Sequence, residues 1–134
     1  MDQDRVKSIP LFGGLNRKEC KALAPRADEV DLAQGKTLVR QGEWAYEFFA
    51  IEEGTVEVRR GEQLLAELGP GDFFGEMGLM ADTRRNATVM ATTPVKVVVM
   101  TAQAFRQTAR EHPEVAAKIR TAIEERCRAL EAVS

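Results

Sequence analysis

The residues best suited to chemistry lie in one stretch, Gly71-Asp72-Phe73-Phe74-Gly75-Glu76-Met77-Gly78-Leu79-Met80, followed closely by Arg84-Arg85-Asn86-Ala87-Thr88-Val89. Gly75 and Gly78 let the main chain approach a ligand closely, since no Cβ stands in the way. Glu76 to Met80 can form one short helical turn, and the unpaired N–H groups at the start of such a turn favour an anion. Arg84 and Arg85 add fixed positive charge, each with a planar fork suited to phosphate oxygens. A carboxylate at Glu76 would be repelled by that same anion. It makes sense there if it accepts a hydrogen bond from a neutral hydroxyl beside the phosphate, as a ribose offers. Taken singly, a glycine-flanked turn is usually only a turn, and paired arginines are usually a solvated loop tip. Their joint spacing after Gly69-Pro70-Gly71, in a β-rich chain, points to a ligand.

Composition narrows the remaining classes. Lys plus Arg is 19 and Asp plus Glu is 21, for a net charge of −2 over 134 residues. That balance argues against a nucleic-acid partner, which usually calls for a basic excess. The chain has no apolar run of about 18 residues, so no membrane span is expected. Its opening, MDQDRVKSIP, lacks the apolar stretch of a secretory signal. Cys20 and Cys127 match no metal or redox spacing and read as free thiols in a reducing cytoplasm. A lone histidine, His112, argues against a histidine-based metal site, a Ser-His-Asp triad or a cupin-type barrel enzyme. The expectation is one cytoplasmic domain, not an enzyme, with no cofactor and no metal.

The elements that must position these residues divide by glycine. None of the ten glycines lies beyond Gly78, and from Gly35 to Gly78 they punctuate short apolar runs, as in a sandwich or barrel. Strands are expected at Thr37–Arg40, Phe48–Ile51, Thr55–Arg59, Gln63–Leu68, Ala87–Met90 and Val95–Met100. Thr55 to Arg59 alternates strictly, the period of a half-buried strand. Val95 to Met100 is β-branched and mostly apolar, and so belongs deep in the core. Asn16 and Glu19 have the offsets of a capping box, opening a helix to about Ala24. A helix is expected from Thr101 to Glu111, broken at His112-Pro113, and a last one from about Glu114 to Leu130. Ala116, Ile119, Ile123, Cys127 and Leu130 form one stripe along it. The fold class is mainly β: an antiparallel β-roll or jelly-roll barrel with a helix before it and two after it. In residue ranges, a helical segment 1–25 precedes a roll 26–100 with the ligand loop at 73–89, and helices fill 101–134.

With these motifs in place, the chain resembles the cyclic nucleotide-binding domain family. Phe74-Gly75-Glu76-Met77-Gly78-Leu79-Met80 with Arg85-Asn86-Ala87-Thr88-Val89 looks like that family's phosphate-binding cassette. Ile9-Pro10-Leu11-Phe12 resembles its N-terminal helical segment, and Gly42-Glu43 and Glu53-Gly54-Thr55-Val56-Glu57-Val58 its barrel turns. Glu111-His112-Pro113-Glu114 resembles the junction into its hinge helix. The pattern is similar to the regulatory domains of bacterial cyclic nucleotide-gated channels, cAMP-dependent kinase regulatory subunits and catabolite activator proteins.

The resemblance implies that Arg85 pairs with the cyclic phosphate, that Glu76 accepts from the ribose 2′-hydroxyl, and that amides near Gly75 and from Met77 to Gly78 complete the cradle. It implies base-walling positions at Val58 and Leu65, and a base-capping arginine at about Arg126, for which an exposed helical arginine is the alternative. Asn86 follows the key arginine; cAMP is the expected ligand, with cGMP open. Two positions depart from the pattern: Arg84 stands where a proline is usual, and Trp44-Ala45-Tyr46 replaces a turn that typically carries Gly-Asp. The implied function is a ligand sensor whose last helix passes the signal to an effector or partner protein, with a homodimer also open. A non-binding scaffold of the same fold is the alternative.

Overall fold

The computed structural model describes residues 1–79 and 82–133, with side chains as far as Glu125. Its organising fact is that the strands bury different numbers of faces. Two four-stranded antiparallel sheets make the roll. The first has the order β1-β8-β3-β6, built from Asp28–Leu32, Val95–Thr101, Glu47–Glu53 and Phe73–Phe74. The second has the order β2-β7-β4-β5, built from Thr37–Val39, Thr88–Ala91, Val56–Arg60 and Gln63–Leu68.

Side chains of β3 and β8 alternate between two cores. Phe49, Ile51, Val95, Val97 and Val99 face the interior of the roll. Phe48, Ala50, Val98 and Met100 face the helices on the other side. Burial on both faces is why these strands read as nearly continuous apolar runs. The second sheet buries one face only: Val56 and Val89 point inward while Glu57 and Met90 pair on the outer face.

Two helices precede the roll where one is expected. α1 (Gln3–Ser8) is a six-residue helix capped by the Asp2 side chain, and it buries Val6. Alone it is too short to announce itself by periodicity. α2 (Arg17–Leu23) carries the full capping box, with Asn16 and Glu19 each accepting from the other's amide at 2.9 Å. β1 is also additional to the expected strands: Asp-Glu-Val-Asp-Leu is an edge strand whose acids face solvent, so it lacks a β-rich composition. α3 (Ala102–Glu111) starts on its Thr101 cap, and α4 (Pro113–Val133) follows the break at His112.

The first half of the α4 stripe is buried core. Val115, Ala116, Ile119 and Ile123 pack with Val6, Ile9, Leu11, Phe12 and Leu15 from the N-terminal helical segment. Lys118 adds an ion pair to Glu19 at 2.6 Å. Cys127 and Leu130 lie outside the residues with described side chains. Cys20 is buried in the same core, where burial pushes its thiol pKa up and keeps it protonated.

Candidate functional site

The cassette opens on β6, whose two residues pair with β3. Phe74 stacks on Phe49 at 4.9 Å, closing the roll beneath the loop. Gly75 follows with φ +81°, a conformation that side chains rarely adopt. A Cβ there would stand 2.5 Å from Arg85 Nη1 and 2.7 Å from the Glu47 carbonyl. Glycine is therefore what lets the arginine lie against the backbone.

Glu76–Leu79 forms a single 3₁₀ turn. Glu76 is buried and Met77 is 48% exposed. The resemblance implies an amide donor at Gly78; in the structure that N–H donates to the Gly75 carbonyl at 3.1 Å and closes the turn. The glycine also leaves room for its neighbour. A Cβ at Gly78 would come within 2.9 Å of the Ala45 carbonyl and 3.1 Å of the Ala45 Cβ.

Arg85 is the electrostatic centre. Its Nη2 donates to the Glu47 carbonyl at 2.7 Å, and its guanidinium carbon lies 5.9 Å from the Phe49 ring. Burial lowers its pKa from the usual value and the Glu47 charge pulls it back up; an arginine remains a cation regardless. Among the described residues no carboxylate forms an ion pair with it. A half-buried cation held by a carbonyl and an aromatic face, with the Glu47 charge acting on it but forming no ion pair, keeps donors to spare. The arrangement is suited to receive an anion.

Arg84 does not join Arg85, although the sequence offers both as positive charge suited to phosphate. In the structure it turns outward: its guanidinium carbon lies 4.2 Å from the Trp44 ring centroid and its Nη1 donates to the Gly42 carbonyl at 2.9 Å. The physical reason is strand alternation, which sends adjacent side chains to opposite sides. The two departures from the family pattern, Trp44 and Arg84, thus contact each other.

The remaining expected residues distribute as follows. Val58 is half-buried against the roll interior opposite Val89. Leu65 lies on the same hairpin, at the shift where Val58 pairs with Ala66 and Arg59 with Leu64, and is 40% exposed. Asn86 is exposed, and its carbonyl accepts from Arg60 Nε at 3.1 Å. The Arg126 side chain lies outside the described residues, so the structure brings it neither to the site nor away from it. Sequence reasoning missed Glu47 and Phe49 as the supports of Arg85. A backbone acceptor leaves no mark in residue type, and the aromatic reads equally as core.

Comparisons with known proteins bear on this site. A family model described as cyclic nucleotide-binding domain matches residues 29–112. The chain is 31% identical over 103 residues to a cAMP-dependent protein kinase regulatory subunit of Schizosaccharomyces pombe, covering 76% of this chain and 25% of that protein. It is 37% identical over 126 residues to a cyclic nucleotide-gated potassium channel of Rhizobium etli, covering 90% of this chain and 34% of that one. Among solved structures, the N-terminal domain of a transcriptional regulator from Streptomyces coelicolor A3(2) superimposes with a TM-score of 0.82 at 29% identity. That likeness covers 97% of this chain and 95% of the other. The chain spans between a quarter and about a third of the two curated relatives.

Proposed function

The chain belongs to the cyclic nucleotide-binding domain family, and on that premise we propose that it is a cytoplasmic cAMP sensor without catalytic activity. The observation that carries the reading is Arg85: half-buried, cradled on Gly75 and Glu47, and paired with no carboxylate among the described residues. The cyclic phosphate supplies the missing charge. Glu76, buried one residue after the cradle, accepts from the ribose 2′-hydroxyl, while Val58 and Leu65 border the base. Guanidinium and carbonyl contacts hold a ground state and favour no transition state, so binding is the expected output.

Coupling to an effector runs through α4. Ile119 and Ile123 pack in one core with the N-terminal helices and the helix-facing side chains of β3 and β8, and Lys118 pairs with Glu19. A ligand that favours another docking shifts that equilibrium by its differential affinity, typically about 1–3 kcal/mol. The far half of α4, or the chain to which it leads, meets the effector. No helix among the described residues is long and apolar enough to cross a membrane.

Isothermal titration with cAMP and with cGMP tests the reading. Binding of both is expected, tighter for cAMP; no binding of either sinks the proposal. Arg85→Ala should weaken binding by about 2–5 kcal/mol, the scale for truncating one partner of a buried charge pair.

A further inference from the structure

An arginine by itself is a poor judge of phosphates. A cyclic nucleotide presents a phosphodiester with a single charge, whereas the open nucleoside monophosphate formed by its hydrolysis carries about −1.5 to −2 at pH 7. Coulomb attraction to a guanidinium grows with that charge, so Arg85 alone favours the open ligand. Electrostatic preference for the ring needs an opposing charge close enough to be felt.

The fold places one there. Glu47 opens β3 and follows the alternation of that strand: Phe49 and Ile51 face the roll interior, while Phe48 and Ala50 face the helices. Glu47 therefore lies on the Phe49 face, and the Arg85 guanidinium carbon is 5.9 Å from the Phe49 ring. The Glu47 carbonyl accepts from Arg85 Nη2 at 2.7 Å, and the residue is half-buried. Its carboxylate forms no ion pair among the described residues, yet its charge acts on the guanidinium. Glu19, Glu29 and Glu52 differ, since each of their carboxylates is taken up by Lys118 or Arg5. Glu47 is a fixed negative charge left beside the arginine that takes the anion.

We propose that Glu47 is a specificity-determining residue: its carboxylate repels the phosphate held at Arg85 and so favours the singly charged cyclic ester over the more highly charged open nucleoside monophosphate. The inference rests on Arg85 being the phosphate partner. Repulsion scales with ligand charge, so the acid costs cAMP some affinity and costs 5′-AMP more. The bond that holds Arg85 comes from the main chain, so a substitution at position 47 removes the charge and keeps the acceptor.

The test compares cAMP, titrated directly, with 5′-AMP, titrated as a competitor of bound cAMP, in wild type, Glu47→Gln and Glu47→Ala. Glu47→Gln should tighten cAMP binding by about two- to fivefold, the scale of two unit charges several ångströms apart at a dielectric between protein and water. 5′-AMP should gain by about the square of that factor, so the preference for the ring narrows. Glu47→Ala should act in the same direction, which separates loss of charge from a new bond made by the glutamine amide. A variant that fails to fold cannot gain affinity, and unfolding midpoints accompany each titration. Unchanged or weaker cAMP binding in folded variants, equal gains for the two ligands, a gain confined to glutamine, or 5′-AMP that still displaces no cAMP overturns the inference. Loss of the folded state in both variants makes Glu47 structural and overturns it too. If wild type binds neither cyclic nucleotide, the reading of Arg85 fails; if wild type binds, Arg85→Ala does not and the preference for cAMP over 5′-AMP is untouched at position 47, only this inference fails.

Discussion

Glu19 and Arg85 are both ionic side chains drawn out of water, and the fold treats them in opposite ways. Glu19 sits at the joint between the N-terminal helices and α4, and its Oε1 is answered twice. It accepts from the Asn16 amide at 2.9 Å and from Lys118 at 2.6 Å, and these bonds, the backbone one first, hold its carboxyl below the usual carboxylate range. Its charged form is favoured. Arg85 also has a lowered pKa, but for a base that means the charged form is disfavoured, and here burial is the cause. Its hydrogen-bond partner is a neutral carbonyl. One charge is held in an ion pair; the other, half-buried, forms none among the described residues, and that is the feature on which the proposed anion site rests.

The contrast is open to attack in descending order of effect. Arg85→Ala should show the largest change, with the loss of about 2–5 kcal/mol in cAMP binding given above. Its ligand-free unfolding midpoint should not fall, because the substitution also removes a charge that burial disfavours. A marked drop in that midpoint would mean that Arg85 is structural and that the contrast with Glu19 is false.

Gly75→Ala comes next. The position has φ +81° and the added methyl would meet Arg85 and the Glu47 carbonyl, so a strain cost of about 1–3 kcal/mol is expected. It should appear in both the unfolding midpoint and the cAMP titration.

Glu19→Ala should act the other way round from Arg85→Ala. Stability should fall by on the order of 1 kcal/mol, as one charged hydrogen-bond acceptor is lost at the capping box and beside a partly exposed lysine. Intrinsic cyclic nucleotide affinity should change only as far as α4 docking is coupled to binding. A larger loss of affinity than of stability would show that the helical joint opposes or assists the ligand directly.

The smallest effect is a pH dependence. The folded-state pKa of Glu19 lies below its unfolded value, so its contribution is present above the unfolded value and is lost as pH falls through the folded one. Thermal unfolding across the acid range should therefore show part of the wild-type decline missing in Glu19→Gln. Glutamine preserves the capping geometry without the charge. Identical pH profiles would show that neither the Asn16 amide nor Lys118 favours the charged form of Glu19.

Much of this was legible in order along the chain. The alternation of Thr55 to Arg59, the β-branched run of Val95 to Met100 and the Asn16–Glu19 offsets each correspond to an element in the structure. These signals are local: a period, a cap, a turn residue. β1 and α1 escaped notice because their stability is borrowed from β8 and from the α4 core, and nothing in five or six residues records a neighbour 60 or more positions away. The cassette was legible as a motif, with Gly75, Glu76 and Arg85 in place, because close approach and fixed charge demand particular residue types.

By itself the sequence determined the class of fold, the position of the loop and the kind of ligand it could hold. Only the tertiary structure decided which of two adjacent arginines turns inward, that the Gly78 amide is used within its own turn, and that the α4 stripe docks on the N-terminal helices. Periodicity says that a face exists, and residue type says what a group can do. Which way a side chain points depends on the register between segments distant in sequence, here 42–45 against 83–85. Register is a property of the pair and is written in neither segment alone.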